Sequence, residues 1–291
     1  MAVFAALVGV ATGIGWLLAG ALGAAVAGAS VLLASMGLYR YADRYLLHLA
    51  GAYPVARDAA PDLHRLVERL ARQTGAPGRV PRLYWLPGTA PNALASGGAL
   101  AHAAIALTPD LPAILDRDEL AGILARELAY LAYGDSRSGE IAAALAGGLM
   151  QIGLWSGQSR VPGPWEEQAR YVAVRQSARR QGPGAALRLA LAWIAAWVVR
   201  AASSAERVHA ADAAGAQMLD DPLPLARALA KLTAANSTRP QLQVNPGLAN
   251  QFVVAPYIEE TLRPLFSMPP SSSARLQRLT RRALQPCANP S

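Results

Sequence analysis

The sequence predicts an α+β fold, mostly helical, tied to a membrane by an apolar N-terminal hairpin. Three observations predict it. Residues 2–39 carry no charge, and the first charged side chain is Arg40. Hydrophobic residues make up 53% of the 291 and charged residues only 16%, an apolar balance for a soluble chain. Beyond residue 40, helix-period patterns outnumber strand-like ones, and the clearest strands are "RLYWLP" (82–87) and "AAIALTP" (103–109).

As a single helix, residues 2–39 would run roughly 55 Å, against a hydrocarbon core of about 30 Å. Gly20 and Gly23 cluster near the middle. Two short spans joined by the "AGALG" turn are therefore expected. A signal peptide is the alternative, but it needs a basic n-region, and none is present. Arg40 and Arg44 follow the second span and place the bulk of the chain on the cytoplasmic side.

"PDLHRLVERLARQTGAP" reads as a helix begun by Pro61, with Leu63, Leu66, Val67 and Leu70 on its apolar face and Gly75 at its end. The two strands follow, with a Gly97-Gly98 turn between them. Asp116 and Glu119 form a capping box that opens the next helix. "IAAALAGGLMQIGLW" (141–155) and "AALRLALAWIAAWVV" (185–199) are apolar but short for spans. The loop between them, 158–184, carries five Arg against Glu166 and Glu167. Two spans would put that basic loop on the wrong face. A shallow hairpin entering from the cytoplasm, two helices packed on a partner, and two buried core helices remain open. "DPLPLARALAKL" (221–232) and "SARLQRLTRRAL" (273–284) give two further amphipathic helices. The expected organisation is a transmembrane hairpin (1–39), a cytoplasmic first part of the main domain (40–139), a second membrane-associated hairpin with a basic loop (140–203) and the second part of the main domain (204–291).

Net charge is +8, carried almost wholly by Arg. Few aromatics are interleaved and no nucleic-acid motif occurs, so basic flanks of membrane segments explain the charge better than nucleic acid does. The single cysteine, Cys287, excludes an internal disulfide.

The helix "DELAGILARELAYLAYGD" (118–135) carries the chemical signal. Leu120, Ile123, Leu124 and Leu131 fall on one apolar stripe, and Glu127 sits in its middle. Arg126 and Tyr130 lie four residues apart along its edge. A carboxylate where a leucine belongs asks for a reason.

The order of pieces resembles the HtpX-like membrane metalloproteases, relatives of the CAAX prenyl proteases. The resemblance spans nearly the whole chain: "GLYRYADRYLL" after the second span, "APNALASG" (90–97), "IALTPDL" (105–111), the helix above, "AERVHAADAAGAQML" (205–219), "DPLPLARALAKL" and "LFSMPP" (265–270). It implies a zincin-type domain in a bacterial inner membrane, multi-pass, facing the cytoplasm. In that family the helix carries His-Glu-x-x-His. Two imidazoles at i and i+4 share a face and bind zinc, and the Glu is general base for the metal-bound water. A Glu from a later helix is the third ligand, and an Asp four residues on orients the site.

By that resemblance the ligand positions here are Arg126, Tyr130 and Val208, while Glu127 keeps the general-base position and Asp212 the orienting one. The family's Ser-Thr-His-Pro has become "SMPP" (267–270). Arg is cationic at any working pH, Val has no donor atom, and Tyr ligates only as a phenolate. Zinc, the family's cofactor, is thus expected to be lost. His209 neighbours Val208, but a one-residue shift turns a helical side chain by about 100°. His48, His64 and His102 fall in unrelated segments. Removing a dication from beside two carboxylates leaves a charge deficit. Arg126 is expected to turn inward on Asp212, Glu127 or both, with the Tyr130 hydroxyl completing the network. The alternative is an Arg126 that snorkels to solvent.

Peptide binding, by the same resemblance, falls on an edge strand at Ala104, Ile105, Ala106, Leu107 and Thr108, with Asn92 nearby. Strand addition there needs backbone groups rather than zinc. Three functions follow: an inactive protease homologue that binds membrane-protein clients in quality control or assembly; a structural subunit of a larger membrane complex; and a working zinc endopeptidase with an atypical site. The lipid bilayer is a partner in all three.

Overall fold

The computed structural model describes residues 2–74, 80–88, 90–97, 103–132, 136–156, 183–238, 245–256, 263–266 and 270–284. His102, Gly98, most of the 158–184 loop and most of the "SMPP" stretch lie outside them. The chain divides into two compact units, Met1–Arg44 and Tyr45–Ser291.

The first unit is most of α1 (Ala2–Leu49), whose helical geometry breaks at Ala19 and Gly20. Gly20 takes φ +62°, a left-handed value that favours glycine. The halves on either side fold against each other: a methyl at Gly28 would lie 2.8 Å from the Thr12 hydroxyl, although a straight helix would part these residues by about 24 Å. The turn falls where "AGALG" places it. Leu17, Leu18, Leu22 and Leu33 are exposed, so the outer surface is apolar. Residues Val8–Leu49 are long and apolar enough to cross a membrane.

The second unit is built around a four-stranded sheet in the order β1-β2-β4-β3, from β1 (Tyr53–Pro54), β2 (Arg82–Trp85), β3 (Ala93–Ser96) and β4 (Ala104–Leu107). β2 and β4 run parallel; β1 joins β2 and β3 joins β4 antiparallel. β3 is missing from the two-strand expectation. Its "ALAS" has no β-branched or aromatic residue, and all four side chains are buried. Tertiary burial, not intrinsic preference, makes it a strand.

The period-two alternation of the strands splits the core. Ile105, Leu107, Ala93 and Ala95 point to a face covered by α2 (Pro61–Gln73), α4 (Arg117–Ala132), α8 (Leu223–Thr238) and α10 (Ser272–Leu284). Ala104, Ala106 and Leu94 point to the other, against Leu46, Leu47, Ala143, Leu248 and Phe252. A short helix, α3 (Leu111–Ile114), leads into α4. The capping box forms as read: Asp116 Oδ1 accepts from the Glu119 and Asp118 N–H groups, and Glu119 Oε2 accepts from the Asp116 N–H. α2 begins at Pro61 as expected and ends at a Thr74 cap.

α5 (Ser136–Ser156) and α6 (Pro183–Ala202) pack together through small residues, Ala146, Ala192, Ala195 and Ala196. Trp193 and Trp197, 61% and 62% exposed, lie one turn apart on the outer face of α6 with Ile194. α6 meets α7 (Ala205–Met218) at a 55° bend. A 3-10 turn (Pro246–Gln251) and the short α9 (Arg263–Phe266) complete the described elements.

Candidate active site

The site lies where α4, α7 and α10 meet. α4 is buried on nearly every side, so Arg126 and Glu127, adjacent in sequence, are both inside, at 4% and 0% exposure. α7 reaches α4 through Gly215, where a methyl would sit 2.5 Å from the Arg126 Cα. That close approach sets Asp212, one turn earlier on the same buried face, beside the Arg126 side chain. Gly215→Val is expected to force the helices apart and cost roughly 1–3 kcal/mol, read as a lower melting temperature with Asp212 and Arg126 both still present.

Arg126 Nη1 donates to Glu127 Oε1, and Arg126 Nε lies 3.4 Å from Asp212 Oδ1. The guanidinium is therefore hydrogen-bonded to Glu127 and ion-paired with Asp212, and does not snorkel. Tyr130 departs from expectation. It offers its ring face to the guanidinium, 5.5 Å from the ring centre, rather than its hydroxyl. Burial pushes its phenol up to about 12, the wrong direction for a phenolate ligand. Val208 is half-buried one turn before Asp212.

The sequence reading missed Arg275. Its Nε and Nη2 each lie 2.7 Å from an Asp212 oxygen, a two-point grip, and its Nη1 donates to the Val253 carbonyl. Two guanidiniums thus balance the Glu127 and Asp212 carboxylates at this site. Burial pushes Asp212 up, but the Arg275 hydrogen bonds together with the Arg275 and Arg126 charges outweigh it and hold the carboxyl below its ordinary value. Burial dominates at Glu127 and raises its carboxyl, with Arg126 opposing. Glu127 Oε2 is buried without a hydrogen-bond partner among the described residues. Glu140, also missed, is buried at the end of β3, where its Oε1 accepts from the Gly97 N–H at 2.8 Å.

The peptide-binding expectation needs correction. β4 pairs with β2 on one side and β3 on the other, so Ala104, Ile105, Ala106 and Leu107 have no free edge to offer. Thr108 turns its hydroxyl to the Asn92 N–H at 2.9 Å. The edge strand beside β4 is β3, and Asn92 Nδ2 donates to the Val254 carbonyl of this same chain at 2.7 Å.

A zinc ion does not fit the residues present. The three ligand positions offer a guanidinium, a phenol held protonated and an alkyl group. His209 is half-buried on α7 with Arg278 and Arg275 nearby; burial and these cations lower its pKa. Among the described residues no group of three His, Cys, Asp or Glu is placed to hold a metal.

A helix bearing a buried catalytic-type glutamate, laid on a small mixed sheet and met by an aspartate from a later helix, defines a metallopeptidase scaffold. Residues 57–283 match peptidase family M48. The chain is 36% identical to a protease HtpX homolog of Pyrococcus furiosus over 96% of this chain and 93% of that protein. It is 35% identical to protease HtpX homologs of Thermococcus kodakarensis (94% and 92% covered) and Pelotomaculum thermopropionicum (92% and 94%). The chain belongs to peptidase family M48, as an HtpX-like member. No solved structure matches it.

Proposed function

We propose that this protein is a catalytically inactive HtpX-like homologue, anchored in a bacterial inner membrane by its N-terminal hairpin, that binds membrane-protein clients instead of cutting them. The observation that carries the reading is the Arg126 guanidinium, which lies against Glu127 and Asp212 from a metal-ligand position. A glutamate acts as general base only with a free carboxylate beside an activated water. Here one oxygen is held by Arg126, and no residue at the three ligand positions supports the metal that would activate the water.

The test is cleavage. Purified protein in detergent, supplied with zinc, is expected to leave casein and an unfolded membrane protein intact over hours. Metal-dependent cleavage abolished by Glu127→Gln would refute the reading and support the atypical endopeptidase. The exposed face of Trp193, Ile194 and Trp197 favours a second reading, a subunit of a larger membrane complex in which a partner or lipid covers α6. Co-purification of one protein at fixed stoichiometry separates that reading from client binding, where bound proteins vary.

A further inference from the structure

A pocket lies between α7 and α10, lined by His209 and Asp212 from the first and by Arg275, Arg278, Leu279 and Arg282 from the second. Residues 275, 278 and 282 recur at spacings of three and four, so they share one face of α10; residues 209 and 212 share one face of α7. Asp212 is the only carboxylate in the lining, and Arg275 occupies both its oxygens. Arg278 and Arg282 are exposed, with no carboxylate partner among the described residues. Elsewhere in the domain the exposed Arg57, Arg65 and Arg227 face Glu68, Asp62 and Glu119. The neighbouring sequence supplies no acid either: residues 261–291 hold five Arg and no Asp or Glu.

We propose that the pocket between α7 and α10 binds a phosphate group, held by the Arg278 and Arg282 guanidiniums with the His209 imidazole beside them. The inner wall is already neutral, Asp212 against Arg275, so a ligand meets the two positive charges of the rim. A phosphate monoester carries about −1.5 to −2 near pH 7 and balances both, whereas a carboxylate or a chloride balances one. Guanidinium forks also match phosphate oxygens two at a time, and two forks one turn apart converge on one such group. The same chemistry is presented by free phosphate and by the headgroup of an anionic phospholipid. Neither Arg126 nor Glu127 lines the pocket, so the proposal stands apart from whether the protein cuts peptides.

The test is thermal unfolding of the full chain in an uncharged detergent, followed by tryptophan fluorescence, with sodium chloride exchanged for inorganic phosphate at fixed ionic strength so that general screening is held constant. The variants are Arg278→Gln, Arg282→Gln and Arg281→Gln. All three positions are exposed, so each variant keeps the core, and Arg281 is the control because it lies on α10 outside the pocket. Phosphate also stabilises proteins by exclusion from their surfaces, but that effect is common to all the variants. The expected result is a saturable rise in melting temperature of roughly 3 °C. Its half-saturating concentration should move up at least tenfold in Arg278→Gln and in Arg282→Gln and stay unchanged in Arg281→Gln. Repeating the titration with dioctanoyl phosphatidic acid, against dioctanoyl phosphatidylcholine as blank, reads the source. Half-saturation at least tenfold below that of inorganic phosphate, with the same dependence on Arg278 and Arg282, assigns a lipid headgroup; an equal or higher value assigns free phosphate. A rise of the same size and midpoint in all four proteins would overturn the site as a general ionic effect, and so would the absence of a rise with either ligand.

Discussion

Arg126→Ala is expected to destabilise the protein by about 3–5 kcal/mol, the cost typical of removing one partner from a buried ion pair. Glu127 would lose its only hydrogen-bond partner among the described residues while staying at 0% exposure. Alanine keeps the Cβ, so the backbone approach of Gly215 to residue 126 is preserved and the loss reports on charge rather than packing. Combining Arg126→Ala with Glu127→Gln removes the stranded charge and should recover part of the loss. A double-mutant cycle on thermal unfolding then shows non-additivity well above the few tenths of a kcal/mol seen for independent sites. A near-neutral single mutant would mean that the guanidinium does not compensate the carboxylates.

Arg275→Ala should be as costly, about 3–5 kcal/mol, because it strips Asp212 of two hydrogen bonds and Val253 of a third. Arg275→Lys should restore little, since an ammonium cannot reproduce the two-point grip. The pH profile carries the same information. Asp212's carboxyl is depressed in the folded protein, so its contribution is present above the ordinary value of 3.8 and lost as pH falls through the folded value. Glu127, raised by burial, acts in the opposite sense: its ionised form costs stability, and protonation on acidification relieves that cost. Removing Arg275 should therefore flatten the acid limb of the stability curve below about pH 4. An unchanged limb would place the acid sensitivity elsewhere.

Much of the site was legible because charge in an apolar stripe is conspicuous. Glu127 stood out on α4, and the resemblance implied Asp212 and the ligand positions Arg126, Tyr130 and Val208. Arg275 carries a related signal, an arginine beside Leu276 and Leu279 on the packed face of α10, but basic helix faces are so often solvated that an amphipathic pattern does not single it out. Glu140 opens an apolar helix, where a buried acid is hard to tell from an exposed flank. β3 was invisible for a different reason: alanines and a serine have no strand preference, and only burial between β4 and the helices makes them one. Missing β3 moved the expected edge to β4 and hid the antiparallel bridge between Leu94 and Phe252. The N-terminal turn was read correctly because helix length and glycine placement are local properties.

The most direct test of the central claim, that Arg126 has taken over the charge role of a metal, is the zinc content of protein purified from zinc-supplemented cells and passed through mild chelation. The account predicts no stoichiometric zinc in the protein as it stands, and its appearance when Arg126→His, Tyr130→His and Val208→Glu are combined. One zinc per chain in the unaltered protein, lost on Tyr130→Phe, would contradict it.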